Sequence, residues 1–228
     1  MTEAKSFGCD ELKNSTTLVF MSQEPNWVGW ARELQAIAQT GLNFSESEYD
    51  RERYQRILEI SIDIFAKYSG ESPVLIRQLF GKQTGYATPK VDVRGVVFRE
   101  GKLLLVQERS DGLWTLPGGW ADVNDSPSGA VEREILEESG FQAKAERMLA
   151  VFDRAKHGHQ PPFPFHVYEL FILCRLEGGE ARLSMETTGA EFFAKNEIPP
   201  LSVSRVTPEQ IQFCFDSLNN SDGPCRFD

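Results

Sequence analysis

The segment from Ser126 to Gly140 limits the fold more tightly than any other part of the chain. Ser126 offers a hydroxyl N-cap, Pro127 suits the first helical position, where its missing N–H has no helical partner, and Gly140 suits the left-handed residue that ends a helix. A helix from Pro127 to Ser139 is thus marked at both ends. Within it Glu134, Glu137 and Glu138 fall at i, i+3 and i+4, bringing three carboxylates onto one face. They repel one another, and they occupy the C-terminal half, where the helix dipole disfavours negative charge. A solvated acidic face tolerates this at a cost of roughly a few tenths of a kcal/mol for each effect, whereas a bound hard cation reverses both. Oxygen ligands at this spacing suit Mg²⁺ or Mn²⁺, which keep several waters and share their remaining sites with phosphate oxygens.

Around this helix the pattern is β. From Lys90, Val91, Val93 and Val97 alternate, Glu100-Gly101 forms a hairpin turn, and Leu103 to Val106 is a short buried run. Further on, Phe165 to Cys174 reads as a long strand turning at Gly178-Gly179, Glu191 to Phe193 as a short strand, and Pro208 to Leu218 as a closing helix. The N-terminal part is helical. Trp27, Trp30, Leu34 and Ile37 recur at helical spacing with Gly41 as the stop, after a loose terminus of about fifteen residues. A second helix from Ser47 to Tyr68 carries Tyr54, Leu58, Ile62 and Phe65 on one stripe, widened by Ile57, Ile60 and Ile64 beyond what one partner helix covers. Either the rest of the chain or a second subunit must bury that face. The expected division is a helical extension over 1–70, a linker over 71–89 with a short helix from Val74 to Leu79, and a main domain over 90–228.

The 228 residues hold 24 Lys plus Arg against 34 Asp plus Glu, a net charge of -10, which disfavours nucleic-acid backbones and anionic membranes as partners. A polyanionic substrate stays compatible if metal ions supply the positive charge. Cys9, Cys174, Cys214 and Cys225 stand far apart without a C-x-x-C pair, which fits a reducing compartment. The longest apolar stretch near the N-terminus, Leu18 to Met21, is too short for a signal peptide or a membrane span, so a cytoplasmic protein is expected.

Gly118 to Phe141 reads GGWADVNDSPSGAVEREILEESGF and resembles the Nudix box. That pattern is a glycine, five residues, an acid, seven residues, Arg-Glu, an aliphatic, any residue, Glu-Glu, any residue, a glycine and an apolar residue. Gly119, Arg133, Glu134, Ile135, Glu137, Glu138, Gly140 and Phe141 match, while Asp125 stands where the family has Glu. The resemblance implies an α/β fold: a Nudix-type α/β/α sandwich around a mixed sheet, preceded here by a small all-α domain. It implies Glu134 and Glu138 as principal metal ligands, Glu137 as a further ligand directly or through water, and the Gly118 carbonyl as a backbone ligand. It also implies that Arg133 pairs with Asp125 to brace the loop, although Asp125 reads equally well as a second N-cap. The catalytic base varies within the family; Glu186 is the first candidate here and Glu191 the second, each weighed against an ordinary exposed glutamate.

WVGWARELQAIAQTGL and Leu116-Pro117-Gly118-Gly119-Trp120-Ala121-Asp122 resemble a Nudix subgroup that includes CDP-choline pyrophosphatase and ADP-ribose pyrophosphatase-like proteins. This implies homodimers joined through the helical extension, and hydrolysis of a nucleoside diphosphate linked to another moiety, with release of a nucleoside monophosphate. The alternatives are trimming of RNA 5′ ends and a ligand-sensing regulator; retention of all three box glutamates and the arginine opposes the regulator. Arg94, Arg109 and Arg154 are candidate phosphate contacts. Trp114 and Tyr86 could stack on a base, but packing is the safer reading. His157 and His159 read as solvated loop residues in preference to metal ligands.

Overall fold

The computed structural model describes residues 24–218, 220 and 223–228. The loose terminus, Cys9 and the Leu18 to Met21 stretch lie outside the described residues. Helix α4 (Pro127–Ser139) forms as its end signals require. Ser126 Oγ accepts from the Gly129 N–H at 3.1 Å, and Gly140 closes the helix in the left-handed region at φ 79°.

A mixed sheet lies against α4. Its strands among the described residues are β1 (Lys90–Arg99), β2 (Lys102–Glu108), β3 (Trp114–Thr115), β4 (Gly118–Trp120), β5 (Phe141–Asp153), β6 (Val167–Gly179), β7 (Thr187–Phe193) and β8 (Arg226–Phe227). The order is β3-β2-β1-β6-β5-β8, with β4 on β1 and β7 on β2. β1 is the hub. It runs parallel to β6 from Lys90↔Val167 to Val97↔Cys174, antiparallel to β4 through Arg94↔Gly118, and turns at Glu100-Gly101 into β2. Both turn residues have positive φ, the twist that a two-residue hairpin loop favours.

Period-two alternation divides the core into two layers. Val93, Val97, Leu104 and Val106 pack with Val131 and Ile135 of α4 on one face. Val96, Leu103, Leu105 and Phe171 pack with Ile211, Cys214 and Phe215 of α5 (Pro208–Leu218) on the other. This is the expected α/β/α sandwich. Gly95 sets the spacing, since a Cβ there would stand 2.7 Å from the Ile135 side chain. β5 was not expected from the sequence: register shifts at three places along its pairing with β6 interrupt the alternation that would reveal it.

The N-terminal helices are α1 (Asn26–Phe44), α2 (Glu48–Ser69) and α3 (Pro73–Gly81). Two expectations for α1 fail. Gly41 does not stop the helix but lies inside it, where a Cβ would stand 2.4 Å from the Tyr54 ring. The buried face carries Val28, Ala31, Gln35 and Ala38, while Trp30 and Ile37 are exposed. Small side chains let α2 approach closely enough for Ser61 Oγ to bond the Ala31 carbonyl at 2.7 Å, and Trp30 and Ile37 turn outward while Trp27 packs on Phe65. Ile62 and Phe65 of α2 and Ile76 and Phe80 of α3 complete this cluster, with Phe165 of the sheet domain packed against it. Among the described residues no helix is long and apolar enough to cross a membrane.

Candidate active site

The C-terminal half of α4 faces β4, and glycines make the approach feasible. Gly118 has φ 150°, and a Cβ on it would stand 2.0 Å from the Val93 carbonyl oxygen. A Cβ on Gly119 would stand 3.2 Å from Glu134 Oε2. Glu138 and Glu134 are consequently buried, and Glu138 Oε2 accepts the Gly118 N–H at 2.8 Å. Arg133 holds Glu134 at 2.7 Å, Glu137 at 3.3 Å and Asp125 at 3.2 Å.

These groups open into a cavity of about 740 Å³. Glu134, Glu137, Glu138, Gly118 and Glu186 all line it, together with Arg133, Arg94 and Arg154. Asp92, Glu108, Glu169, Trp120, Phe163 and Arg205 line it as well, beyond the candidates that the sequence pattern supplies. Two signals were available. Asp92 and Arg94 interrupt an alternating strand at i and i+2, on the face that carries Val96, and Glu169 is a lone acid in an apolar run.

Burial pushes the Glu138 carboxyl up to about 8, against the Gly118 hydrogen bond and the Arg94 charge that lower it. Glu134 is also raised, chiefly by burial. Burial alone would lower Arg94, but Asp92 at 2.7 Å, Glu169 and Glu138 hold its charge. Burial would likewise raise Glu169, yet the bond to His159 at 3.2 Å, the Arg94 charge and Gln210 hold it below the usual carboxylate range.

Other candidates are placed elsewhere. Arg109 donates to the carbonyls of Ser184, Met185 and Thr187, so it clasps the loop that carries Glu186 and does not line the cavity. Glu191 is exposed on β7, outside the cavity lining. Trp114 packs edge-on against Phe193 at 4.8 Å, and Tyr86 is exposed beside α1. The histidines are not the solvated pair expected: His159 is buried on Glu169, and His157 pairs with Asp228 at 3.1 Å, each drawn inward by a carboxylate.

Among the described residues no three acid, histidine or cysteine groups converge into a ready-made metal cage. Glu134 and Glu138 instead satisfy Arg133 and the Gly118 N–H. The donor chemistry nevertheless fits a hard divalent cation. Only oxygen donors stand on this helix face, two of them are buried and disfavoured as bare anions, and the absent Gly119 side chain leaves space beside Glu134.

The profile described as the NUDIX domain matches residues 88–213, and one described as the UDP-X-like N-terminal oligomerisation domain matches residues 25–80. The chain therefore belongs to the Nudix hydrolase family and is an enzyme of that class. It is 44% identical over 205 residues to YjhB of Bacillus subtilis (strain 168), which bears the provisional name ADP-ribose pyrophosphatase; the match covers 90% of this chain and 98% of that protein. A UDP-X diphosphatase structure is similar at 32% identity with a TM-score of 0.58, covering 89% of this chain and 98% of that one. An ADP-ribose pyrophosphatase structure from Streptococcus suis 89-1591 is similar at 42% identity with a TM-score of 0.56, covering 62% of this chain and all of that one.

Proposed function

We propose that this chain is a divalent-metal-dependent pyrophosphatase acting on a nucleoside diphosphate linked to a second moiety, of the ADP-ribose, UDP-X or CDP-choline kind. The observation that carries the reading is the buried pair Glu134 and Glu138 opening under Gly118-Gly119 into a cavity also lined by arginines. The names of the relatives support the ADP-ribose and UDP-X kinds, and the CDP-choline kind rests on the resemblance of the sequence.

Glu134 and Glu138, with Glu137 and the Gly118 carbonyl, would hold Mg²⁺ or Mn²⁺, which when bound neutralises phosphate charge and acidifies water. Arg94, fixed by Asp92, presents a permanent positive charge to the diphosphate. Arg133 ties Asp125 in the preceding loop to the carboxylate helix and so keeps Glu134 in place. Glu186 takes the proton of the attacking water, on a loop clasped by Arg109. The water oxygen bonds to one phosphorus, the bridging P–O bond breaks, and the bridge oxygen leaves on the other phosphate, giving two monophosphates.

We also propose a cytoplasmic homodimer. Trp30, Ile37 and Phe44 lie seven residues apart on the exposed side of α1, inside the segment that matches an oligomerisation domain.

The test is incubation with Mg²⁺ or Mn²⁺ and a panel of ADP-ribose, CDP-choline and UDP-sugars, with products separated by chromatography. A nucleoside monophosphate released together with a phosphorylated second moiety is expected. Release of inorganic phosphate, or no turnover of any member, contradicts the reading.

A further inference from the structure

Trp120 follows the glycine pair directly, is 48% exposed, and lines the same cavity as the buried glutamates. Phe163 stands beside it with ring centroids 6.1 Å apart and planes 31° from one another, and the Arg154 guanidinium lies 5.3 Å from the Phe163 ring. This corner presents flat π faces and a cation, chemistry that suits a planar aromatic ring better than a diphosphate. The segment that carries Phe163 is held from outside the sheet domain. Arg32 of α1 donates through Nε at 3.0 Å, and again through Nη2, to the Phe163 carbonyl, while Glu24 fixes its guanidinium at 2.7 Å. Both partners are largely buried, and Phe165 packs on Phe80 of α3 at 5.9 Å.

Building on the pyrophosphatase reading, we propose that Trp120 and Phe163 form the wall on which the substrate's nucleobase stacks. We further propose that Arg32 is the positioning residue through which the helical extension sets that wall within its own chain. The 31° tilt between the rings leaves no parallel slot, so the base lies on the exposed Trp120 face with Phe163 behind it. The extension then has a second task besides assembly: substrate affinity depends on its seating against the sheet domain.

The probes are AMP, UMP and base-free ribose 5-phosphate, with binding followed by calorimetry and by quenching of tryptophan fluorescence. Trp120→Leu removes the quenching and weakens AMP and UMP by about tenfold, within the range for loss of one base-aromatic stack, and leaves ribose 5-phosphate unaffected. Arg32→Met shifts the two nucleotides in the same direction and again spares ribose 5-phosphate, and in turnover its effect falls on KM and not on kcat. Glu24→Gln, which keeps the Phe163 contact, shows a smaller shift. Sedimentation and thermal melts of each variant separate this from loss of assembly or fold, and Trp120→Leu, at an exposed position, tests the wall even if Arg32→Met misfolds. Equal weakening of all three probes, or unchanged nucleotide affinity in Trp120→Leu, overturns the proposal. A protein that binds AMP or UMP through Trp120 yet hydrolyses no diphosphate overturns the pyrophosphatase reading and leaves the wall standing.

Discussion

Glu138 and Glu169 line one cavity, are both buried, and are displaced in opposite directions because their partners differ. Glu138 has a single backbone N–H and the Arg94 charge against a large burial cost and the nearby Glu108 and Glu134, and rises. Glu169 has His159, Arg94 and Gln210, and falls. A carboxyl whose folded pKa lies below its unfolded value contributes stability at neutral pH and loses it as the pH falls through that folded value. Glu169→Gln removes this titration. The melting-temperature gap between wild type and Glu169→Gln should therefore be wide at neutral pH and shrink as the pH falls through the usual carboxylate range and below it. A gap independent of pH contradicts the assignment. The box carboxylates were legible because regular helical spacing ties their sequence separation to one face. The juxtaposition of Glu169 with Asp92 was not, because strands distant in sequence bring them together as the Asp92↔Glu169 pair.

At the scale of elements, α1 holds two glycines with opposite expectations. A Cβ added at Gly29 would meet nothing within 4 Å, whereas one at Gly41 would press into the Tyr54 ring at 2.4 Å. Gly29→Ala should stabilise the fold by roughly 0.5–1 kcal/mol through helix propensity alone. Gly41→Ala gains the same propensity but overpacks a tight helix pair, for a net loss of about 1–2 kcal/mol. Urea midpoints of the two variants check both signs, and equal stabilisation would show that α1 and α2 are not packed this closely. The sequence marked both ends of α4 through Ser126 and Gly140, where backbone chemistry is local. It misplaced the end of α1 because a glycine inside a helix and a glycine ending one look alike until the facing helix is known. It missed β5 because the bulges spoil the alternation.

Across the whole molecule, the helical extension was legible from hydrophobic period and the sandwich from the resemblance to the Nudix box, but the buried side of α1 was not. Its burial is set by which residues are small enough for close contact, and not by which are most apolar. The outward stripe of Trp30, Ile37 and Phe44 should cover a second copy in the proposed dimer, so wild type should sediment as a dimer and Ile37→Asp with Phe44→Asp as a monomer. A wild-type monomer, or a variant that still dimerises, contradicts that surface. In the proposed reaction the α4 carboxylates drive the chemistry, and Glu138→Gln is the variant that probes this role. Glutamine keeps the volume and can still accept the Gly118 N–H, but it removes a buried carboxyl that burial and the neighbouring acids hold back from ionising, and with it the hard ligand proposed for the metal. With Mg²⁺ and a substrate that wild type hydrolyses, kcat should fall at least about a hundredfold, while the melting temperature in chelator stays equal or rises. Turnover by Glu138→Gln at the wild-type rate would contradict the account.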